Sequence, residues 1–220
     1  MDLIILCTHN DGGVGKTTIA VHVAGVLGNR FESTLLVDCD DQADFWRFHT
    51  GRLPQKANDL EKNDNITVIY NERRESITKD VQKGQYDHIV LDIDSPLKST
   101  VQTIVGNDPN LILVPVNKSQ KIKALRNLPR TLRVISQLEN KIGCDPQVII
   151  VPLGISQDSI GEVVSRLADH DKPNRCRIAP EMDDYQDQMQ TAIYQDRKYI
   201  WDYEGLDFLY DYFADLLSEQ

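Results

Sequence analysis

The chain has 220 residues, 40% of them hydrophobic, and its 24 Lys and Arg against 34 Asp and Glu give a formal net charge of −10. Length and apolar content suit one globular domain, and the acidic charge excludes a general electrostatic attraction to nucleic acid or anionic lipid. The four cysteines form no CxxC pair, and we find neither a basic secretory leader nor an apolar run of membrane-spanning length. We therefore expect a cytoplasmic protein with reduced thiols.

Short apolar runs alternate with amphipathic stretches along the chain. The predicted strands are Leu3–Cys7, Thr34–Val37, Ile66–Tyr70, His88–Leu91, Leu111–Val116, Gln147–Val151 and Arg175–Ile178. The predicted helices are Lys16–Leu27, Ser76–Lys83, Ser99–Val105, Lys121–Asn140, Ser159–Asp169, Asp183–Thr191 and Leu206–Ser218. Several strands are apolar throughout, as strands covered on both faces are. The alternation predicts one α/β domain over residues 1–220, a doubly wound, mostly parallel sheet with helices on both faces. The polar stretch Gly51–Asp64 is predicted to be irregular.

A glycine-rich segment, Asn10–Thr18 (Asn-Asp-Gly-Gly-Val-Gly-Lys-Thr-Thr), joins the first predicted strand to the first predicted helix. Glycines let the backbone approach phosphate oxygens, and the N–H groups at a helix start attract anions. We expect Lys16 to reach the β- and γ-phosphates, Thr17 to bind Mg²⁺ and Thr18 to contact the α-phosphate. The predicted nucleotide-binding residues of this segment are Asp11, Gly12, Gly13, Val14, Gly15, Lys16, Thr17 and Thr18.

Three segments together resemble the signatures of the ParA/MinD family of deviant Walker ATPases, which are P-loop NTPases. The loop has Asn10 where the strict Walker motif has a glycine. Leu35–Gln42 is similar to the family's second signature, a strand ending in Asp-x-Asp-Pro-Gln, with Asp41 in place of the proline, and Tyr86–Pro96 is similar to its Walker B strand. The resemblance runs from Leu3 to about Leu217. It implies the family's fold, ATP and Mg²⁺ as cofactors, and slow, partner-stimulated hydrolysis of ATP to ADP and phosphate.

The resemblance also assigns roles to individual residues. Lys16 and Asp40 would be catalytic, Asp40 by polarising the attacking water. Asp38 and Asp92 would hold Mg²⁺ through water beside Thr17, although a turn or helix-capping role also explains Asp38. Pro180 would lie near adenine, unless it only starts a helix.

A further departure from the family pattern reverses the charge of a residue in the phosphate loop. Members carry a signature lysine that reaches the partner's phosphates in an ATP-sandwich homodimer, and Asp11 stands there in this chain. Two unit charges about 4 Å apart interact by roughly 4 kcal/mol at an effective dielectric of 20. An aspartate in place of the lysine is therefore expected to disfavour the ATP-sandwich dimer. The carboxysome-positioning branch, the McdA ATPases, also lacks this lysine and uses another. The best candidate is Lys118, with Lys121 and Lys123 as competitors, and the alternative is that all three are simply solvated.

A basic stripe interrupts the acidic chain in the long predicted helix. Its predicted DNA-binding residues are Lys121, Lys123, Arg126, Arg130 and Arg133. Such a helix face would bind phosphates without sequence preference, unless it is a solvated face paired with carboxylates. The C-terminal stretch Glu204–Leu217 is acidic, which argues against membrane binding.

These features predict a ParA-type ATPase, most similar to the carboxysome-positioning branch, that places a cargo on the nucleoid. The resemblance implies three partners: a second copy of the chain, non-specific DNA, and a cargo-bound, McdB-like adaptor that stimulates hydrolysis. The alternatives are a plasmid or chromosome partition ATPase, and a module that binds ATP without hydrolysing it. Iron–sulfur carriers share the loop but need cluster-binding cysteines that are missing here, and a bacterial tyrosine kinase is only superficially suggested by the C-terminal tyrosines.

Overall fold

A computed structural model of the protein describes residues 3–71, 85–93 and 97–218. Its strands are β1 (Leu3–Cys7), β2 (Thr34–Cys39), β3 (Leu60–Asn63), β4 (Ile66–Tyr70), β5 (His88–Ile93), β6 (Leu111–Asn117), β7 (Gln147–Leu153) and β8 (Arg175–Ile178). These eight strands form one sheet in the order β3-β4-β2-β5-β1-β6-β7-β8. Within the described residues, β3 pairs antiparallel to β4 and the other pairings are parallel.

Helices cover both faces of the sheet, so the predicted fold class is confirmed. They are α1 (Lys16–Asn29), α2 (Asp44–Thr50), α3 (Leu97–Asn107), α4 (Lys121–Ile142), α5 (Gln157–Ser165), α6 (Gln186–Thr191) and α7 (Leu209–Asp215). Side chains of β1 alternate between two apolar cores: Ile5 and Cys7 pack with α1, α2 and α7, and Leu6 packs with α3, α4 and α5. No helix in the described part of the chain is both long enough and apolar enough to cross a lipid bilayer.

The predicted strands are all present, and several continue for one or two residues beyond the apolar run. Helix boundaries differ more. The helix predicted over Ser159–Asp169 ends at Ser165, and the one predicted from Asp183 begins at Gln186 and continues into a π-helical turn, Ala192–Asp196. The helix predicted over Ser76–Lys83 lies outside the described residues.

The prediction that Gly51–Asp64 is irregular was wrong for its second half, which contains β3. Residues Asn63 and Ile66 are paired across a two-residue turn, and Asp64 takes the positive φ of 48° that the turn requires. The preceding loop is held by Arg52, which donates to Asp59 (2.8 Å) and Glu61 (3.0 Å). Strand β3, Leu-Glu-Lys-Asn, is mostly exposed, so it shows no hydrophobic period in the sequence.

The sequence also gave no prediction of α2, which follows β2 directly. Its aromatic residues Phe45, Trp46 and Phe48 are buried beneath it. One oxygen of Asp38, in β2, accepts the Trp46 backbone N–H at 2.7 Å, so a strand carboxylate satisfies an unpaired donor in the first turn of the helix. This bond ties α2 to the edge of the sheet where the candidate site lies.

Candidate nucleotide-binding site

The glycine-rich loop connects β1 to α1 at the carboxyl edge of the parallel strands, where open α/β sheets bind ligands. Gly13 and Gly15 have φ of 72° and 106°, and Gly15 immediately precedes the helix. A Cβ on Gly15 would lie 2.6 Å from Leu153 Cδ1 at the end of β7. The positive φ favours glycine at position 15, and a larger residue there would also displace the Leu153 side chain.

A cavity of about 450 Å³ opens in front of this loop, a size typical of small-molecule sites. Its phosphate side, as we name it, consists of Gly12, Gly13, Gly15, Lys16, Thr17 and Thr18. Its base side consists of Leu153, Met182, Asp183, Tyr185, Gln186, Met189, Gln190 and Tyr194. The remaining wall residues are Asp40, Asp41, Gln42, Asp44 and Asn117. The loop faces the more apolar base side across a space that suits a nucleotide.

Lys16, the predicted phosphate-binding lysine, is buried at the first position of α1. Its Nζ donates to the backbone carbonyl of Asp11 at 2.8 Å, which folds the side chain back along the loop. The ammonium group is therefore held inside the phosphate side of the cavity. A buried cation beside free loop N–H groups provides the charge that a polyphosphate requires.

The predicted metal-binding carboxylates, Asp38 and Asp92, are paired residues of the neighbouring strands β2 and β5 and are both buried. Burial raises the pKa of Asp38 to about 7, against the hydrogen bonds from Trp46 and Asp40. Burial and the neighbouring Asp38 raise the pKa of Asp92 well above its usual range, while nearby Thr17 and Lys16 oppose the rise. Neither oxygen of Asp92 accepts a hydrogen bond of standard geometry from a described residue. Such a pair favours a cation close by.

The predicted catalytic residue Asp40 lies in the cavity wall, just beyond the end of β2. Its backbone N–H donates to Asp38 at 2.9 Å, and its carboxylate accepts the backbone N–H of Gln42 at 3.0 Å. These bonds fix the turn, so the carboxylate is held at the cavity surface near the phosphate side.

Asp11, which replaces the family's signature lysine, has its carboxylate turned away from the cavity and toward α4. It is 5% exposed and accepts two hydrogen bonds from Asn127 Nδ2, at 2.9 and 3.0 Å. Lys123 Nζ lies 3.5 Å away, and the Asp11 backbone N–H donates to His9 at 3.1 Å. The carboxylate is therefore a satisfied internal anion rather than a group that faces phosphate.

Two other predicted contacts also lie away from the cavity lining. The Val14 side chain is fully buried in the core on the α3–α4 side of the sheet. Pro180 is exposed, and its carbonyl accepts the Tyr212 hydroxyl at 3.1 Å. The base side of the cavity is formed instead by the segment that begins at Met182.

Lys118 follows β6 at the same edge of the sheet as the loop. Its side chain is 60% exposed, and Nζ lies 3.0 Å from Asp184 at the rim of the cavity. Of its competitors, Lys121 donates to Ser159 at 3.3 Å and Lys123 lies beside Asp11. Lys118 is therefore the cation of the three that lies nearest to the base-side rim.

The basic residues of α4 divide into two groups. Arg126 and Arg130 are exposed and form no ion pair with a described residue, whereas Arg133 contacts Asp171 at 3.0 Å. Lys123 is partly neutralised by Asp11. The solvated positive charge is thus concentrated on the first half of the helix.

Sequence reasoning missed two features of the wall, Asn117 and the base-side side chains. Asn117 ends β6, and its Nδ2 donates to the Gly13 carbonyl at 2.7 Å. A polar residue at the end of an apolar strand run was the available signal for it. Tyr194 lies in the π-helical turn, a geometry that no sequence pattern predicts.

The chain was compared with known families and structures. Residues 5–179 match the CbiA model, the CobQ/CobB/MinD/ParA nucleotide binding domain. No curated protein sequence gives a significant match. Among solved structures, apo McdA of Cyanothece is similar over 99% of this chain and 100% of its own, with a TM-score of 0.72 at 18% identity.

Two nucleotide complexes are also similar. An ATP complex of a Cyanothece McdA variant aligns over 98% of this chain and 95% of its own, with a TM-score of 0.71 at 18% identity. Pyrococcus horikoshii MinD complexed with Mg-ADP aligns over 98% of this chain and 94% of its own, with a TM-score of 0.65 at 16% identity. The family match over residues 5–179, with the shared fold and the loop-lined cavity, leads to one conclusion: the chain belongs to the CobQ/CobB/MinD/ParA family of nucleotide-binding domains.

Proposed function

We propose that this protein is a ParA-type ATPase that binds Mg-ATP, dimerises around it, binds DNA and positions a cargo, most like McdA. The observation that carries the proposal is the cavity, which is lined by the glycine loop with Lys16 and Thr17 and by the acidic residues Asp40, Asp41 and Asp44. The ATP and Mg-ADP complexes of the similar structures support the choice of ligand.

The donor set fits a magnesium ion. Thr17 would bind it directly, with Asp38 and Asp92 holding its water ligands, because both acids are buried and Asp92 accepts no standard hydrogen bond from a described residue. Magnesium would neutralise phosphate charge during transfer. Lys16 would hold the β- and γ-phosphates, and the Asp40 carboxylate would accept a hydrogen bond from the attacking water and orient it.

We further propose that Lys118 replaces the signature lysine in the ATP dimer. Its position at the sheet edge and its 60% exposure leave it able to reach a second copy of the chain. Its monomer partner, Asp184, would have to release it. Asp11 is excluded from this role by charge and by its bonds to Asn127.

Size-exclusion chromatography with light scattering in Mg-ATP tests the dimer. We expect the wild type to dimerise and Lys118→Ala to remain monomeric, while Lys121→Ala, an exposed lysine of the same region, still dimerises. Asp184→Asn should favour the dimer, because it frees Lys118. A Lys118→Ala protein that dimerises like the wild type would contradict the assignment.

For DNA, we propose the solvated face that contains Arg126 and Arg130. Replacing both by Glu should strongly weaken, but not abolish, the retardation of random duplex DNA in Mg-ATP. Lys62→Glu with Lys98→Glu changes the net charge equally at exposed positions elsewhere and should retain binding. The slope of log affinity against log salt should fall by about 2, one for each lost phosphate contact. Equal loss in both double variants would point to net charge alone.

The cargo would be recruited through an adaptor that stimulates hydrolysis, with carboxysomes on the nucleoid as the first cargo to test. Phosphate release should be slow for the protein alone and rise with DNA and adaptor, and Asp40→Asn should remove it while leaving Mg-ATP bound. If no phosphate is released under any of these conditions, the protein is an ATP-dependent binding module instead.

A further inference from the structure

A chain of hydrogen bonds runs along one wall of the cavity, from the phosphate loop to the base side. Asn117 Nδ2 donates to the Gly13 carbonyl at 2.7 Å. The Asn117 Oδ1 accepts the Gln120 backbone N–H at 3.0 Å and the Ser119 hydroxyl at 3.4 Å. Gln186 Nε2, on α6, donates to Ser119 at 2.8 Å. We call these three side chains, Asn117, Ser119 and Gln186, the strap.

The donors and acceptors of the strap are consistent with one direction of bonding. Gln186 donates to Ser119, Ser119 donates to Asn117, and Asn117 donates to Gly13. The Asn117 Oδ1 accepts from both Ser119 and Gln120, which the two lone pairs of an amide oxygen allow. Asn117 is 5% exposed, whereas the outer bond, from Gln186 to Ser119, lies at the surface. The inner bond is therefore the stronger one, because a buried bond to a carbonyl competes less with water.

The backbone around Asn117 is also fixed. Asn117 is paired with Leu153 across β6 and β7, and the Lys118 N–H donates to the Leu153 carbonyl at 3.0 Å. Leu153 in turn packs where a Cβ on Gly15 would be. The amide of Asn117 thus approaches Gly13 from a position that the sheet determines.

We infer that Asn117 is a positioning residue for nucleotide binding, which sets the conformation of the loop at Gly13 and, through Ser119, links it to the base-side helix. Gly13 has a positive φ of 72°, and its carbonyl must point away from the phosphates so that the loop N–H groups point toward them. Holding that carbonyl is what the Asn117 amide does. The inference rests only on nucleotide binding by the proposed ATPase, not on dimerisation or DNA.

The test measures the affinity of the free protein for a fluorescent ADP analogue, with ATP, ADP and AMP as competitors. Asn117→Ala removes both the Nδ2 donor to Gly13 and the Oδ1 acceptor for Gln120. Asn117→Asp keeps the acceptor for Gln120 but replaces the donor to Gly13. Gln120→Glu is the matched control, since it adds the same charge beside the loop without touching the bond.

We expect Asn117→Ala and Asn117→Asp to bind ADP and ATP about tenfold more weakly, the effect of one lost buried hydrogen bond. AMP competition should be unchanged, because AMP has no β-phosphate for the loop. Gln120→Glu should change ADP affinity less than Asn117→Asp does. Gln186→Ala should raise the ADP dissociation rate two- to threefold with an unchanged melting temperature of the free protein.

A merely structural role would lower the melting temperature and weaken all three nucleotides alike. The inference is overturned if Asn117→Ala binds ADP within twofold of the wild type, or if AMP is lost in parallel. If Asn117→Ala does not fold, Asn117→Asp still decides it, whereas Gln186→Ala alone does not, because Gln186 itself lines the base side of the cavity. A wild type that binds no ADP would overturn the proposed ATPase itself, which separates the two failures.

Discussion

The two sides of the cavity are built in different ways. The phosphate side comes from one continuous segment between a strand and a helix, and its binding groups are mainly backbone N–H groups, with Lys16 as the one buried cation among its lining residues. The base side comes from β7, α6 and a π-helical turn, which meet only in the folded protein. The phosphate side therefore depends on backbone angles, whereas the base side depends on side chains from segments that are far apart in the sequence.

This difference predicts how each side fails. The phosphate side should tolerate few changes, because Gly13 and Gly15 have positive φ angles and Asp11 and Lys16 form internal hydrogen bonds. The base side should tolerate changes one at a time, because its contacts are many and partly exposed. The following variants test that contrast, from the largest expected effect to the smallest.

Asp11→Lys should destabilise the free protein by about 3 kcal/mol rather than restore a signature lysine, because the substitution leaves polar groups around a buried position without partners. The variant would lose the two hydrogen bonds that Asn127 donates to Asp11, and the new ammonium group would face Lys123, whose side chain is 49% exposed. Urea denaturation measures it. Asp11→Asn, in which the side chain keeps its size, should lose less stability. The double variant Asp11→Lys with Lys123→Asp should recover part of the stability that Asp11→Lys loses. An Asp11→Lys protein as stable as the wild type would show that the loop tolerates either charge.

A pH titration tests the contacts of a buried histidine between α1, the helix that begins at the phosphate side, and the chain segment that follows the base side. His22 lies on α1, and its ring is bonded to the Thr18 carbonyl (2.7 Å) and to the Ile200 N–H (3.1 Å) and stacks on Phe213. Burial lowers its pKa from 6.5 to about 4. Because His22 is protonated at a higher pH in the unfolded chain than in the folded protein, it favours the unfolded state as the pH falls. Its contribution to the free energy of unfolding is therefore complete above pH 6.5 and is lost as the pH falls through 4.

We expect the free energy of unfolding to fall by up to about 3 kcal/mol across that window through His22. His22→Gln, which cannot titrate, should be less stable at pH 7, and its difference from the wild type should shrink toward pH 4. Chemical denaturation at a series of pH values gives both curves. A constant difference would mean that His22 does not titrate in this range.

Lys16→Ala should weaken ATP binding up to about 100-fold, the value of a charge-assisted bond to phosphate in a buried site. Fluorescence titration with labelled ATP measures it, and Lys56→Ala, an exposed lysine far along the chain, serves as the control. A loss below threefold would mean that the loop N–H groups alone hold the phosphates.

Tyr194→Ala should have the smallest effect, about threefold weaker ATP binding, because the ring is 49% exposed and shares the base side with other residues. Tyr194→Phe should be neutral if only the ring surface matters. A tenfold loss in Tyr194→Ala would make the base side as intolerant as the phosphate side and would remove the contrast.

The sequence predicted the sheet well, and it placed a glycine loop between the first strand and the first helix, because both depend on local signals: apolar strand runs and a strand–glycine–helix segment. The sequence showed that Asp11 departs from the family pattern, but it could not predict where the carboxylate points. That orientation depends on Asn127, which lies 116 residues away. Asn117 had a sequence signal, a polar residue at the end of an apolar strand, but its partner Gly13 lies 104 residues away and could not be predicted. Tyr194 lies in a π-helical turn, which leaves no periodic signal in the sequence. Strand β3 was missed because its pairing comes from a tight turn and from the Arg52 contacts.

The bonds of Asp11 have a consequence for how this protein and its relatives diverge. Asp11, Lys123 and Asn127 form one electrostatic unit, so no single substitution converts it to a lysine-bearing loop without an unfavourable intermediate. Homologous sequences should therefore change these three positions together. Chains with an acidic residue at position 11 should keep a cation and an amide one helical turn apart on α4, and chains with lysine there should have neither.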